Sequence, residues 1–365
     1  MRIAQVAPLY ESVPPKLYGG TERVVSWLTE ELVAQGHEVT LFASGDSLTT
    51  ARLIPICPEA LRLSPGCVDQ LAHHISLLER VLREKDEFDL IHFHIDYLHF
   101  PLSRSEALPQ VSTLHGRLDI PDLLPLYREF SEMPVISISD AQRGPLACAN
   151  WQGTVHHGLP EDSFVPYEEP GQYLAFLGRV SPEKGLEDAI EIAKRCGIPL
   201  QIAAKVDRAD RDFFENRIKP LLGDNLVEFI GEIRETEKNE FLGNALALLF
   251  PINWEEPFGI VMIEAMACGL PVIAYPRGSV REIIEDGITG YLAHNVESAV
   301  NAVAHISELD RRICRRRFEQ RFTSKRMALD YLAIYQGLAK MESKSLALTD
   351  GELSWMNLES PSSTT

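Results

Sequence analysis

Glu256 and Glu264 flank Gly259 in the segment EEPFGIVMIEAMACGLPVIA, and their surroundings give them different jobs. Pro257 biases Glu256 away from helical dihedrals and into a loop, whereas Glu264 falls in the second turn of the helix that Phe258 and Gly259 open. Gly259 has no side chain to keep a ligand away from the free N–H groups and positive dipole end of that helix, which is what an anionic phosphate requires. The segment reads as an acid, a seat for phosphate and a second acid. Standing alone, it would describe an acidic turn ahead of an amphipathic helix.

It does not stand alone. The strand-like QYLAFLGR ends in Arg179, and SPEKG then supplies Lys184 before a helical pattern. Tyr18, Gly19, Gly20 and Thr21 follow the first apolar run and open a long helix, where backbone N–H groups can meet a phosphate. The dinucleotide fingerprint G-x-G-x-x-G is absent, which disfavours a nicotinamide or flavin cofactor. His115 closes a strand in STLHGRLD. In HFHIDYLHF, His92 and His94 share a strand face with Asp96 and His99 just beyond. Two imidazoles and a carboxylate can bind a metal, but at a strand end facing a cleft they serve better as hydrogen-bond partners for a ligand's hydroxyls. Asp210 and Asp212 form a D-x-D match at a helix start, where capping accounts for them.

Together these segments resemble the retaining glycosyltransferases of family 4, which have the two-domain GT-B fold and an E-x(7)-E signature that Glu256 and Glu264 match. The resemblance covers residues 1 to about 340. It implies that Glu256 holds donor-sugar hydroxyls, Glu264 the ribose, and Arg179 and Lys184 the donor diphosphate, with Gly19 and Gly20 facing it across the cleft. His115 matches the family's T-x-H-G segment, which contacts the donor sugar near the reacting carbon. Phe258, Gly259 and Ile260 at the helix mouth are further donor-side candidates, and Ile233, after FIGE, is the candidate for the base slot. His94, Asp96 and Arg117 are the acceptor-side candidates.

The chemistry implied is transfer of a hexose, glucose foremost, from a UDP-sugar to a hydroxyl acceptor, with retention and with neither metal nor cofactor. The alternatives are a nucleotide-sugar epimerase or a phosphorylase of the same architecture, or a non-catalytic nucleotide-binding module. Three positions depart from the family pattern: Ala204 and Ser279 where Gly is common, and His157 where Asn is common before the hinge glycine.

The elements that must position these residues alternate apolar runs with helical patterns, which means α/β architecture: two doubly wound, Rossmann-like parallel-sheet domains facing a central cleft. The 365 residues, 45% hydrophobic, suit two cores. We read an acceptor-side domain over 1–160, a hinge over 161–171 where Pro and Gly accumulate, and a nucleotide-sugar-binding domain over 172–322. A helix over 323–340 crosses back, and 341–365 reads as a loose tail in which Trp355 and Met356 are the apolar residues. A net charge of −18 argues against nucleic acid as a partner. The basic run RRICRRRFEQRF lacks a broad apolar face, so peripheral membrane contact is less economical than a charged helix. No window is long and apolar enough to span a bilayer and no leader is evident, so a cytoplasmic location is expected. The six dispersed cysteines fit reduced thiols.

Overall fold

The computed structural model describes residues 1–16, 19–106, 108–223 and 225–356, with side chains to residue 340. Among the described residues the first sheet contains β1 (Arg2–Val6), β2 (Glu38–Ala43), β3 (Arg52–Pro55), β4 (Leu90–Phe93), β5 (Gln110–Thr113), β6 (Pro134–Ser137) and β7 (Asn150–Thr154). The second contains β8 (Tyr173–Arg179), β9 (Leu200–Lys205), β10 (Val227–Gly231), β11 (Ala245–Phe250), β12 (Val272–Ala274) and β13 (Gly290–Leu292). All pairings are parallel, in the orders β3-β2-β1-β4-β5-β6-β7 and β10-β9-β8-β11-β12-β13. Both faces of such sheets must be covered by helices, which is why the central strands are continuous apolar runs.

Each sheet reverses its winding at one place, between β1 and β4 in the first and between β8 and β11 in the second. Chains leave a switch point in opposite directions and open a crevice at the carboxyl edge of the strands, where ligands bind. Most candidates named from the sequence follow one of these four strands or a strand paired with them; Ile233 follows the edge strand β10.

The last helix, Ser324–Met356, runs past residue 340, and residues 357–365 lie outside the described residues, as do the side chains of Trp355 and Met356. Its buried Met327, Ala328, Tyr331, Leu332 and Tyr335 pack with Val24, Leu28 and Leu32 of the first helix, Gly20–Ala34, and with Ile3 and Val111 of the first sheet. Each such side chain contributes about 1.5–3 kcal/mol of burial. At the entry to this helix the two strands of chain joining the domains lie together: Leu159 N–H donates to Phe322 O (2.8 Å) and Ser324 N–H to Leu159 O (2.7 Å).

The basic run forms the helix Arg311–Arg321. Arg311 donates to the carbonyls of Tyr167, Ala245 and Gly243, and Arg315 to those of Phe164, Ala267 and Glu161. These two cations fasten the hinge segment to the second domain. No helix among the described residues is long and apolar enough to cross a membrane.

Candidate active site

One cleft of about 970 Å³ lies between the two carboxyl edges and is lined from both domains. On the second-domain side, Gly259 stands just before the helix Ile260–Ala267 with a φ of 80°, the left-handed region that glycine alone enters at little cost. A Cβ there would lie 2.8 Å from Met262 Cε and 3.3 Å from Glu256 Cγ. The space beside the helix N-terminus therefore depends on glycine. A methyl group at Gly20 would meet only Ile260 Cδ1, at 3.9 Å, so the N-termini of the first helix and of the glutamate helix face each other across the cleft. Tyr18 lies outside the described residues.

Glu256 is buried in the loop that the sequence assigned to it. Its Oε2 accepts from Lys184 Nζ at 2.5 Å and from Trp254 Nε1 at 3.0 Å, while Lys184 Nζ lies 4.8 Å from the Trp254 ring centre. Ser279 anchors this loop: its N–H donates to Glu256 O (3.0 Å) and its hydroxyl to Phe258 O (2.8 Å). The departure from glycine at 279 thus adds a hydrogen bond that glycine lacks.

Glu264, one turn into the helix and buried, accepts from Lys238 Nζ at 2.6 Å. Lys238 also reaches Glu235 at 3.0 Å, and Glu235 pairs with Arg23 of the first helix. A chain of alternating charges therefore spans the cleft from Glu264 to the opposite domain. Burial lowers the Arg23 guanidinium below its ordinary value, with the Glu264 charge opposing.

Arg179 ends β8, at the switch point. Its guanidinium is 2.5 Å from Glu183, 3.9 Å from Asp207 and 3.7 Å from Asp210. A diphosphate at this place must displace or share those carboxylates. Asp210 thus faces Arg179 from just before a helical turn and makes no side-chain cap. Ile233 and Ala204 line the same cleft.

On the first-domain side, hydrogen-bond logic fixes the histidines. Gln5 Oε1 can only accept, so His94 donates to it through Nε2 (2.7 Å) and receives at Nδ1 from His115 Nε2–H (2.9 Å). The Nδ1 of His115 is left as an unprotonated lone pair with no hydrogen-bond partner. Burial holds His94 and His157 well below the ordinary imidazole value and brings His115 down to about 3, so all three are neutral. His157 stacks on His115 with ring centres 5.5 Å apart and meets Phe258 edge-on at 4.7 Å, bridging the domains.

Two expectations change here. His94 is an inner residue whose ring nitrogens are both used, so it holds His115 in place instead of presenting itself to an acceptor. His92 turns away from the cleft: Tyr335 OH donates to its Nδ1 (2.6 Å), and its Nε2–H donates to Thr113 Oγ1 (2.7 Å). His99 lies against Phe93 with Nε2 near Ser112 Oγ (3.1 Å). Among the described residues no three His, Cys, Asp or Glu side chains gather as metal ligands do. Asp96, with a φ of 52°, opens into the cleft, and desolvation there pushes its carboxyl up to about 6. Arg117 is exposed and bound through two nitrogens to Asp119, at 2.7 and 2.9 Å.

Lys238, Glu235, Arg23 and Trp254 were not found in the sequence. Lys238 sits in TEKNEFL among other charges, and nothing local says that its partner is Glu264. Trp254 alone carried a signal, an aromatic beside the first glutamate pair.

Comparison with known proteins gives the family and the fold. The model for glycosyl transferases group 1 matches residues 161–322, and that for glycosyltransferase family 4 matches residues 18–142. A phosphatidyl-myo-inositol mannosyltransferase of Mycobacterium leprae is 26% identical over 382 aligned positions, spanning 94% of this chain and 99% of the relative. Sucrose-phosphate synthase from Thermosynechococcus elongatus has the same fold, with a TM-score of 0.76 at 20% identity, over 92% of this chain and 98% of that one. The Anabaena protein HepE, solved with UDP and glucose, gives a TM-score of 0.70 at 19% identity, over 94% of this chain and all (100%) of its own.

Proposed function

The chain belongs to the family 4 glycosyltransferases and has their GT-B fold, and from that we propose that it is a retaining hexosyltransferase using a UDP-sugar, UDP-glucose foremost. The observation that carries this reading is the meeting of Lys184, Glu256 and the Gly259 helix N-terminus at one switch point, with Glu264 on the same helix. A leaving diphosphate gains negative charge as the sugar becomes oxocarbenium-like, and preorganised N–H dipoles and a cation at that point stabilise it. Glu264 and Glu256 belong to ribose and sugar hydroxyls respectively. HepE, with UDP and glucose in the corresponding fold, supports the choice of nucleotide and hexose.

In the step itself the acceptor oxygen bonds to the anomeric carbon and the bond from that carbon to the β-phosphate oxygen breaks, its electron pair leaving with UDP. The acceptor proton passes to the departing phosphate oxygen on the same face, so configuration is kept and no enzymic nucleophile is needed. Lys184, Arg179 and the helix N-terminus carry the charge that a metal would otherwise balance, and His115, in the wall of the cleft, lies on the donor-sugar side.

The test is release of UDP from UDP-glucose in the presence of EDTA, with the anomeric configuration of the product read by NMR. Lys184→Met and Glu256→Gln should each lower kcat by about 10²–10³, and the product should keep the α configuration. Full activity in both variants, or an inverted product, contradicts the reading.

A further inference from the structure

The acceptor half of the cleft has a chemical character of its own. Tyr10 follows β1 and Tyr97 follows β4, so both stand at the first sheet's switch point, in the same cleft as the donor residues. Each keeps more than a third of its surface open, 39% for Tyr10 and 38% for Tyr97, which leaves an aromatic face with a polar tip in the cleft. They are supported from behind. Tyr10 lies against His74 with ring centres 4.8 Å apart, and Tyr97 meets Tyr127 edge-on at 6.3 Å. His74 has both nitrogens engaged, Nδ1 toward Gln70 O (2.8 Å) and Nε2 accepting from Leu9 N–H (3.2 Å), so it is a fixed, uncharged prop.

The charges around these rings decide what they can receive. The cations lining this half each have a carboxylate: Lys16 has Asp46 at 2.8 Å, Arg62 has Glu11 at 2.9 Å and Arg117 has Asp119 at 2.7 Å. Arg23 is paired with Glu235. Asp96, beside Tyr97, has no cation in an ion pair among the described residues. An anionic acceptor would enter a field that offers no uncommitted positive group there and a carboxylate in its path, inside a chain of net charge −18. A neutral ring with a polar rim meets no such penalty. Its C–H face suits the negative face of an aromatic ring, and its hydroxyls suit Asp96.

We propose that the acceptor is a neutral saccharide or cyclic polyol, seated on Tyr10 and Tyr97 with a hydroxyl on Asp96, and that phosphorylated sugars and anionic lipid headgroups are disfavoured. This rests on the reading of the cleft as a transferase site. It takes the acceptor side away from the phosphatidylinositol class named for the mycobacterial relative.

The experiment uses the full chain and two readouts. Saturation-transfer NMR compares maltotriose with glucose 6-phosphate as ligands, and UDP release from UDP-glucose is measured with each of them and with phosphatidylinositol vesicles. The expected result is saturation transfer to maltotriose and not to glucose 6-phosphate, with about tenfold faster UDP release for the neutral sugar. Tyr97→Ser and Tyr10→Ala should each abolish the maltotriose signal, with UDP binding as the check that they fold. Preference for glucose 6-phosphate or the vesicles, or an unchanged signal in the folded variants, overturns the proposal. Maltotriose binding without any turnover or binding of UDP-glucose would instead sink the donor assignment and leave the acceptor assignment standing.

Discussion

The orientation of His115 is maintained by other residues. Its Nε2 proton is committed to His94, which is committed to Gln5, whose amide nitrogen reaches Tyr335 OH at 3.4 Å. Gln5 is therefore a positioning residue: with a leucine there His94 loses the acceptor that fixes its tautomer, and His115 loses its orientation. Gln5→Leu should lower kcat about tenfold while the Kd for UDP stays unchanged, a split seen by comparing turnover with calorimetric binding. An unaltered kcat would show that the relay has no part in catalysis. The sequence pointed to His115 and Lys184 through their resemblance to family motifs and to Glu256, Gly259 and Glu264 through residue type and order, and the structure brings all five to one cleft. The sequence did not disclose Gln5, an isolated polar residue in the apolar run RIAQVA, because the partner that explains it lies on another strand. The same limit hid the inward turn of His92, which satisfies Tyr335 on the last helix.

At the level of elements, the central strands and the edge strand β10 were legible and the other three edges were not. β3, β7 and β13 lie at sheet edges and were missed; β7 has every residue only half-buried, so no continuous apolar run announces it. Helices were legible where a long buried face sets the period, as in Gly20–Ala34 and Leu186–Cys196, while Leu123–Glu129 and Val296–Ala304 were missed. What no local pattern encodes is the link between the helix Glu235–Gly243, the glutamate helix and the first helix, made by Glu235, Lys238, Glu264 and Arg23. Lys238→Met leaves Glu264 buried without its cation, at a cost of about 1–3 kcal/mol. We expect a lower unfolding midpoint together with a donor KM about tenfold higher, since the misplaced carboxylate is the one assigned to the ribose. If KM holds while the midpoint falls, the chain of charges is structural only.

The whole molecule stores a pH dependence in its histidines. Burial holds His92, His94 and His157 well below the ordinary value and brings His99 and His115 to about 3. Unfolded histidines take up protons below about 6.5 while these do not, so in the window from there down to about 3 the unfolded state binds more protons and stability falls with falling pH. Burial also raises the carboxyls of Asp96, to about 6, and of Glu11 and Glu22, which work in the opposite sense but are outnumbered by the five histidines. Thermal unfolding followed by calorimetry should therefore show a midpoint that drops steadily from pH 7 to pH 4, and a flat profile would mean the imidazoles are not held neutral.

The two domains are also latched outside the cleft. Glu282 of the second domain accepts from the N–H groups of Asp140 and Ala141 at 2.8 Å each and from His156 at 3.0 Å. The account as a whole has the second domain gripping a nucleotide sugar while the first presents the acceptor. A crystal structure of the chain with UDP-glucose tests this most directly. The expected result is a pyrophosphate against Lys184 Nζ and the N–H groups that follow Gly259, with the ribose hydroxyls on Glu264. A nucleotide bound on the first domain, or a pyrophosphate remote from Lys184 and Gly259, would contradict it.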